Sequence, residues 1–127
     1  MSQHKKIEWI LRIAVAGEFL GHGALAVSGK PAWIGWFSVF GINDVALATQ
    51  LLMLVGALDI MLAVLILLRP VRLALLWMAI WGFWTALIRP IVGESGWDFI
   101  ERFANWGAPL ALLLLVGWPK KGKEWFR

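Results

Sequence analysis

Two ionisable residues one helical turn apart, Glu18 and His22 in the stretch GEFLGHG, stand inside the first long apolar run of this 127-residue chain. At i and i+4 a carboxyl and an imidazole share a helix face. Together they can accept, donate and exchange protons. A third group, Asp59, is the one charge in the 24-residue stretch VALATQLLMLVGALDIMLAVLILL. In so apolar a setting these groups suit two chemistries: hydrogen bonding to a lipophilic ligand, or carrying a proton across lipid. A Glu–His pair at this spacing is also a common structural hydrogen bond, and the pattern alone leaves that reading open.

The elements that must position them are four apolar runs, at 7–27, 45–68, 71–92 and 99–118. Each approaches the ~20 residues a helix needs to cross a bilayer core of ~30 Å. The whole composition agrees: 61% hydrophobic residues, 16% charged, ten Trp and no Tyr. Soluble domains carry roughly 25% charged residues. The fold expected is all-α, an integral membrane four-helix bundle in a single transmembrane domain, with the bilayer as its solvent. The first run is longer than the apolar part of a secretory leader and lacks a small-residue cleavage site, so it is expected to stay in the protein.

Charge placement gives an orientation. With four spans, Lys5, Lys6, Arg12, Arg69, Arg72, Lys120, Lys121, Lys123 and Arg127 fall on one side, and only Lys30, Arg89 and Arg102 on the other. The positive-inside rule then puts both termini in the cytoplasm. The net charge of +4 belongs to this pattern, not to a nucleic-acid surface. Between the first two spans, SGKPAWIGWFSVFGIND places Trp33, Trp36, Phe37 and Phe40 on one helical face. An amphipathic or re-entrant segment over the outer mouth of the bundle is expected there, or else a belt of aromatics at headgroup level. The acidic, aromatic stretch VGESGWDFIERF is expected to help cover the same mouth, and Pro70 to open the third span.

Rise per residue sets the depths. Counted from the cytoplasmic end, Glu18 lies roughly 16 Å deep, His22 roughly 22 Å and Asp59 about 13 Å. An isolated charge there costs ~2.5–3.5 kcal/mol, so the three are expected to turn inward as one polar cluster. The small residues Ala14, Gly17, Gly21, Ala24 and Ser28 form a stripe suited to helix packing, with Glu18 and His22 on its flank. Thr49, Leu52, Gly56, Asp59 and Ala63 form the matching face of the second span. Thr85 and Asn105 come at about the level of His22. Pro109 deprives the Asn105 carbonyl of its helical donor, which makes that oxygen a candidate acceptor. Trp81 and Trp84, in a stripe with Trp77 and Ile88, are candidates to line a cavity, whereas a Trp stripe is also ordinary packing. Arg89 reads as an interfacial anchor, neutralised by Glu94, Asp98 or Glu101.

Other chemistries are poorly served. There is no Cys, hence no disulfide, thiol redox chemistry or thiolate metal site. His22 is the one histidine in an apolar run and His4 lies in the N-terminal tail, so no metal or bis-histidine haem site is expected. No nucleophilic triad or phosphate-binding loop is present.

The stretch RIAVAGEFLGHGALAVSGK resembles the first span of the DoxX-like family of small bacterial membrane proteins, at Arg12, His22-Gly23 and Lys30. The stretch LVGALDIMLAVLILLRPVRLALL is similar to the family's second span, turn and third span. Asp59 stands where the family usually has Glu, and Glu18 matches no family position. The resemblance implies a multi-pass protein of the bacterial inner membrane. Some members are similar to small subunits of thiosulfate:quinone oxidoreductase, which implies a redox-associated subunit holding a quinone or other lipophilic ligand. The chain has no electron carrier of its own, so a redox partner protein and a homo- or hetero-oligomer are expected. A proton-coupled small-solute transporter and a non-catalytic assembly protein are the competing expectations.

Overall fold

The signals that start and stop helices are local and well formed. Ser2 accepts from the Lys5 amide at 3.1 Å, and Asp44 Oδ1 accepts from the amides of Ala46 and Leu47 at 3.0 and 3.4 Å. Each satisfies donors that a helix N-terminus leaves free. Pro31 opens its helix at a position where a missing N–H costs nothing. Gly29, at φ +72°, makes the turn before it in a backbone conformation that side-chain-bearing residues avoid.

The computed structural model describes residues 1–127 and contains no strand. Its elements are α1 Gln3–Val27, α2 Pro31–Val39, α3 Val45–Leu68, α4 Arg72–Ile91, α5 Gly96–Ile100, α6 Ala104–Val116 and a 3-10 turn, Gly122–Phe126. Four stretches are long and apolar enough to cross a membrane: Gln3–Val27, Val45–Leu68, Arg72–Ile91 and Gly96–Val116, the last combining α5 and α6. Pro70 lies in the link before α4, one residue ahead of its cap Val71, and not in the first helical turn.

Only 26 of 127 residues are buried, and Ile10, Leu54, Met61 and Ile80 are more than half exposed. The bundle thus wears its apolar side chains outward, as a surface meeting hydrocarbon does. Helices in such surroundings associate through close packing and polar contacts, not through water exclusion. The main pairings are α1 with α3 and α4 with α6, joined through α1 and α6. Although α3 and α4 are linked by a short hairpin, they hardly touch.

Glycine makes both main pairings possible. A Cβ on Gly23 would lie 2.8 Å from the Gly56 carbonyl oxygen, and one on Gly56 would lie 2.7 Å from that of Gly23. On α4, a Cβ on Gly82 would fall onto the Asn105 carbonyl of α6. The stripe expected to pack, Ala14, Gly17, Gly21, Ala24 and Ser28, instead lies on the exposed face. Neither Gly17 nor Gly21 has anything near its missing Cβ. The packed face of α1 is Arg12, Val15, Ala16, Phe19, Gly23 and Ala26, rotated from that stripe. Larger side chains interlock with α3 and α6 there, and one glycine suffices at the crossing.

Arginines close the end of the bundle that holds both termini. Arg12 is buried, and its Nε and Nη2 donate to the Ile66 and Leu67 carbonyls at 2.9 and 2.5 Å. These belong to the last turn of α3, whose carbonyls lack helical donors. Glu8 accepts from Arg12 Nη1 at 3.2 Å and from Lys5 Nζ at 3.1 Å. Arg72 does the same for α6, donating to the Val116 and Gly117 carbonyls at 2.6 Å each. This half holds a continuous core of eleven buried residues, with Ile66, Leu75, Met78, Leu112 and Leu113 at its centre. The other half, the loop end, has only a small cluster of Ala26, Trp33 and Leu52.

Candidate functional site

The poor contact between α3 and α4 leaves a gap in the loop half, and α2 lies across it. The gap is a cavity of about 260 Å³ lined by α1, α2, α3 and α4. His22 and Ala26 come from α1, and Leu52, Val55 and Asp59 from α3. Trp81, Trp84, Thr85, Ile88 and Arg89 come from α4, and Trp33, Trp36, Phe37 and Phe40 from α2. The aromatic face expected between the first two spans is therefore a nine-residue helix whose rings form a wall of the cavity.

His22, Asp59, Trp81, Trp84 and Thr85 thus meet at one cavity. Glu18 is half-buried and not among its lining residues. Asn105 is also absent from the lining, because α6 packs behind α4. The Asn105 carbonyl, read from the sequence as a free acceptor, is pressed against Gly82. The stretch Gly96–Ile100 does not cover the cavity either. It packs on α4, where Phe99 meets Phe83 edge-on at 5.7 Å.

The cavity is apolar with a few polar atoms that the protein leaves without partners. These are Asp59 Oδ1, Trp33 Nε1 and Arg89 Nε, all buried. Buried polar atoms are nearly always hydrogen-bonded, and each orphan costs ~1–3 kcal/mol. The residues that carry these three atoms, Asp59, Trp33 and Arg89, all line one cavity. The Thr85 hydroxyl is satisfied within its helix, donating to the Gly82 carbonyl at 3.2 Å. His22 meets the Trp33 ring edge-on, with centroids 5.8 Å apart.

The sequence reading missed Arg89 as a cavity group. Its side chain is 7% exposed, and Nη1 reaches Glu94 only at 3.9 Å. Its guanidinium lies 4.6 Å from the Trp36 ring centroid and 5.8 Å from that of Trp33. A signal was present: Trp81, Thr85 and Arg89 recur at i, i+4 and i+8, so any cavity touching the first two reaches the third. Trp33 was legible as part of an aromatic face, while its role as a donor depends on burial.

No group of acidic or histidine side chains is arranged to hold a metal ion. The architecture is that of a multi-pass helical bundle around an apolar cavity with isolated polar atoms, the usual form of a small-molecule site. Compared with known proteins, the chain matches no family model, no curated protein and no solved structure.

Proposed function

We propose that this chain is a DoxX-like protein of the bacterial inner membrane, with both termini cytoplasmic, and that it binds a quinone-type lipophilic ligand for a redox partner. One observation carries the binding part: an apolar, aromatic-walled cavity between the helices is lined by only a few polar or charged residues, among them His22, Asp59 and Arg89. The residues fit such a ligand. The carbonyl oxygens of a quinone are acceptors suited to the Arg89 guanidinium and to a His22 ring N–H. Trp81, Trp84 and Phe40 offer flat faces for its ring. A bound quinone supplies two-electron chemistry coupled to protons, and Asp59 is the cavity group placed to hold or release a proton. The redox role and the partner rest on the family resemblance alone.

A proton-coupled permease is the second reading. It is favoured by the unpartnered Asp59 carboxylate at mid-depth, since ionisable groups inside membranes commonly serve proton paths.

The test is mass spectrometry of small molecules extracted from the protein purified in native lipid discs, alongside Asp59→Asn and His22→Phe. Quinone enriched with the wild type and depleted in both variants is the expected result. Wild-type protein carrying no enriched lipophilic molecule sinks the proposal, and proton-dependent flux in proteoliposomes would then favour the permease.

A further inference from the structure

The end of the bundle that holds both termini carries more positive charge than its own carboxylates answer. Nine Lys and Arg side chains collect there, against two carboxylate side chains, Glu8 and Glu124. Both carboxylates are already engaged. Glu8 is held by Arg12 and Lys5. Glu124 accepts from the backbone amides of Lys120 and Lys121, and its charge faces Arg72 and Arg127. The side chains of Lys6, Lys120, Lys121 and Lys123 are exposed and make no ion pair within the chain.

The fold holds these lysines in place. His4 Nε2 lies 3.1 Å from the Leu115 carbonyl oxygen, which ties the first turn of α1, with Lys6, to the end of α6. Beyond α6 the chain turns back across the start of α4. There the Arg69 side chain donates to the Phe126 carbonyl at 2.7 Å, and the Arg72 amide donates to that of Arg127 at 3.1 Å. Lys120, Lys121 and Lys123 sit in this pinned stretch, so a partner meets them without first ordering the chain.

Their neighbours identify the partner. Trp118 and Phe126, in the same stretch, are more than half exposed. Trp118 meets Trp125 edge-on, with ring centroids 5.4 Å apart. Exposed Leu68 and Leu73 continue this apolar surface onto the spans. Lysines beside exposed aromatic rings, at the rim of an apolar surface, match the headgroup layer of a bilayer. A soluble acidic partner would meet the lysines and leave the rings in water. We infer that segment 118–126, together with Lys6, is a docking surface for anionic phospholipid. Its lysines meet the phosphate oxygens, and Trp118 and Phe126 enter the boundary of the acyl chains. This surface lies at the end of the bundle away from the cavity, and it does not depend on what the cavity holds.

The test reconstitutes the full chain in vesicles of equal phosphatidylcholine and phosphatidylglycerol. The protein is extracted in mild detergent, and the lipid retained on it is counted by mass spectrometry. One lysine at a charged membrane surface is worth a factor of ~5. Phosphatidylglycerol is therefore expected to be enriched at least about fivefold over the bulk ratio. Molar salt should remove most of that enrichment, because exposed charges are screened. Lys120→Gln/Lys121→Gln/Lys123→Gln is expected to return retention to the bulk ratio. The matching triple Lys→Arg variant keeps the charge and should keep the enrichment. Lys30→Gln, at the other end of the bundle, should leave it unchanged. Helical circular dichroism and thermal midpoint identify any variant that fails to fold.

Wild-type protein that retains the two lipids at their bulk ratio overturns the inference. Enrichment that survives the triple Gln variant does the same. Inorganic phosphate that displaces phosphatidylglycerol at equal concentration overturns the lipid and leaves a site for a free anion. Unchanged retention in Trp118→Ser/Phe126→Ser, with polyglutamate displacing the lipid, would make an acidic protein the partner instead.

Discussion

Gly23 and Gly56 face each other where α1 crosses α3, each carbonyl occupying the space that the other's Cβ would need. The contact is backbone on backbone, so no side chain can swing aside to relieve an added methyl. It fixes the height at which His22, next to Gly23, stands relative to Asp59, one helical turn below Gly56. The crossing and the cavity are for this reason a single construction.

Gly56→Ala is accordingly expected to push α1 from α3 and cost at least about 1–3 kcal/mol, the usual range for overpacking. Gly17→Ala, on the exposed face with nothing near the new methyl, is expected to be neutral or to stabilise by about 0.5–1 kcal/mol through helix propensity. Unfolding midpoints in a mixed-micelle SDS titration would separate the two. The reverse order would mean that α1 packs through the Ala14–Ser28 stripe after all.

Arg12 closes the last turn of α3 with two donors and holds buried Glu8 with a third. Arg12→Met strands these carbonyls and leaves the buried Glu8 carboxylate with Lys5 alone. A loss of about 3–5 kcal/mol is expected, the range for removing one partner of a buried pair. The double variant Glu8→Gln with Arg12→Met should recover part of it. Arg12→Lys should recover little, because an ammonium cannot present the guanidinium fork to two successive carbonyls. Stability near wild type for Arg12→Met would show that the fork contributes nothing.

Asp59→Asn exchanges a buried, unpartnered carboxylate for a neutral amide of the same shape. The bundle is expected to keep or gain stability, by up to about 1 kcal/mol, as a buried ionisable group without a partner gives way to a neutral one. Ligand occupancy is expected to fall at the same time. Parallel measurement of unfolding midpoint and co-purifying lipophile decides it: a loss of stability with unchanged ligand would make Asp59 structural.

The C-terminal turn responds to acid. Glu124 accepts from the backbone amides of Lys120 at 2.6 Å and Lys121 at 3.2 Å, and these bonds hold its carboxyl below the ordinary value of 4.5. Because the folded value is depressed, the contribution is complete above pH 4.5 and is lost as the pH falls through the lower, folded value. Amide protection factors at Gly122–Phe126, which correct for the intrinsic pH dependence of exchange, should therefore fall on acidification through that window. Glu124→Gln should show faster exchange already at neutral pH, and pH-independent protection would remove this role for Glu124.

Much of the architecture was legible because membrane segments obey a simple rule. A helix that must satisfy its own backbone in lipid announces itself by length and hydropathy. In the structure Ser2, Pro31 and Asp44 start their helices for equally local reasons. Packing faces were harder. Small residues at regular spacing suggested an interface on α1, yet the neighbours of a helix are chosen by every other helix in the bundle. Gly17 and Gly21 keep the spacing and lack the partner.

The sequence by itself determined four apolar spans, the clustering of positive charge at one end, and the presence of Glu18, His22 and Asp59 at depth. Only the tertiary structure decided that Asp59 and His22 share a cavity while Glu18 and Asn105 stand outside it. It also decided that Arg89 and Trp33 belong to that cavity. The reason is geometric: periodicity gives the direction of a side chain within its own helix, and the cavity exists only because α3 and α4 part in the loop half and α2 folds across the opening.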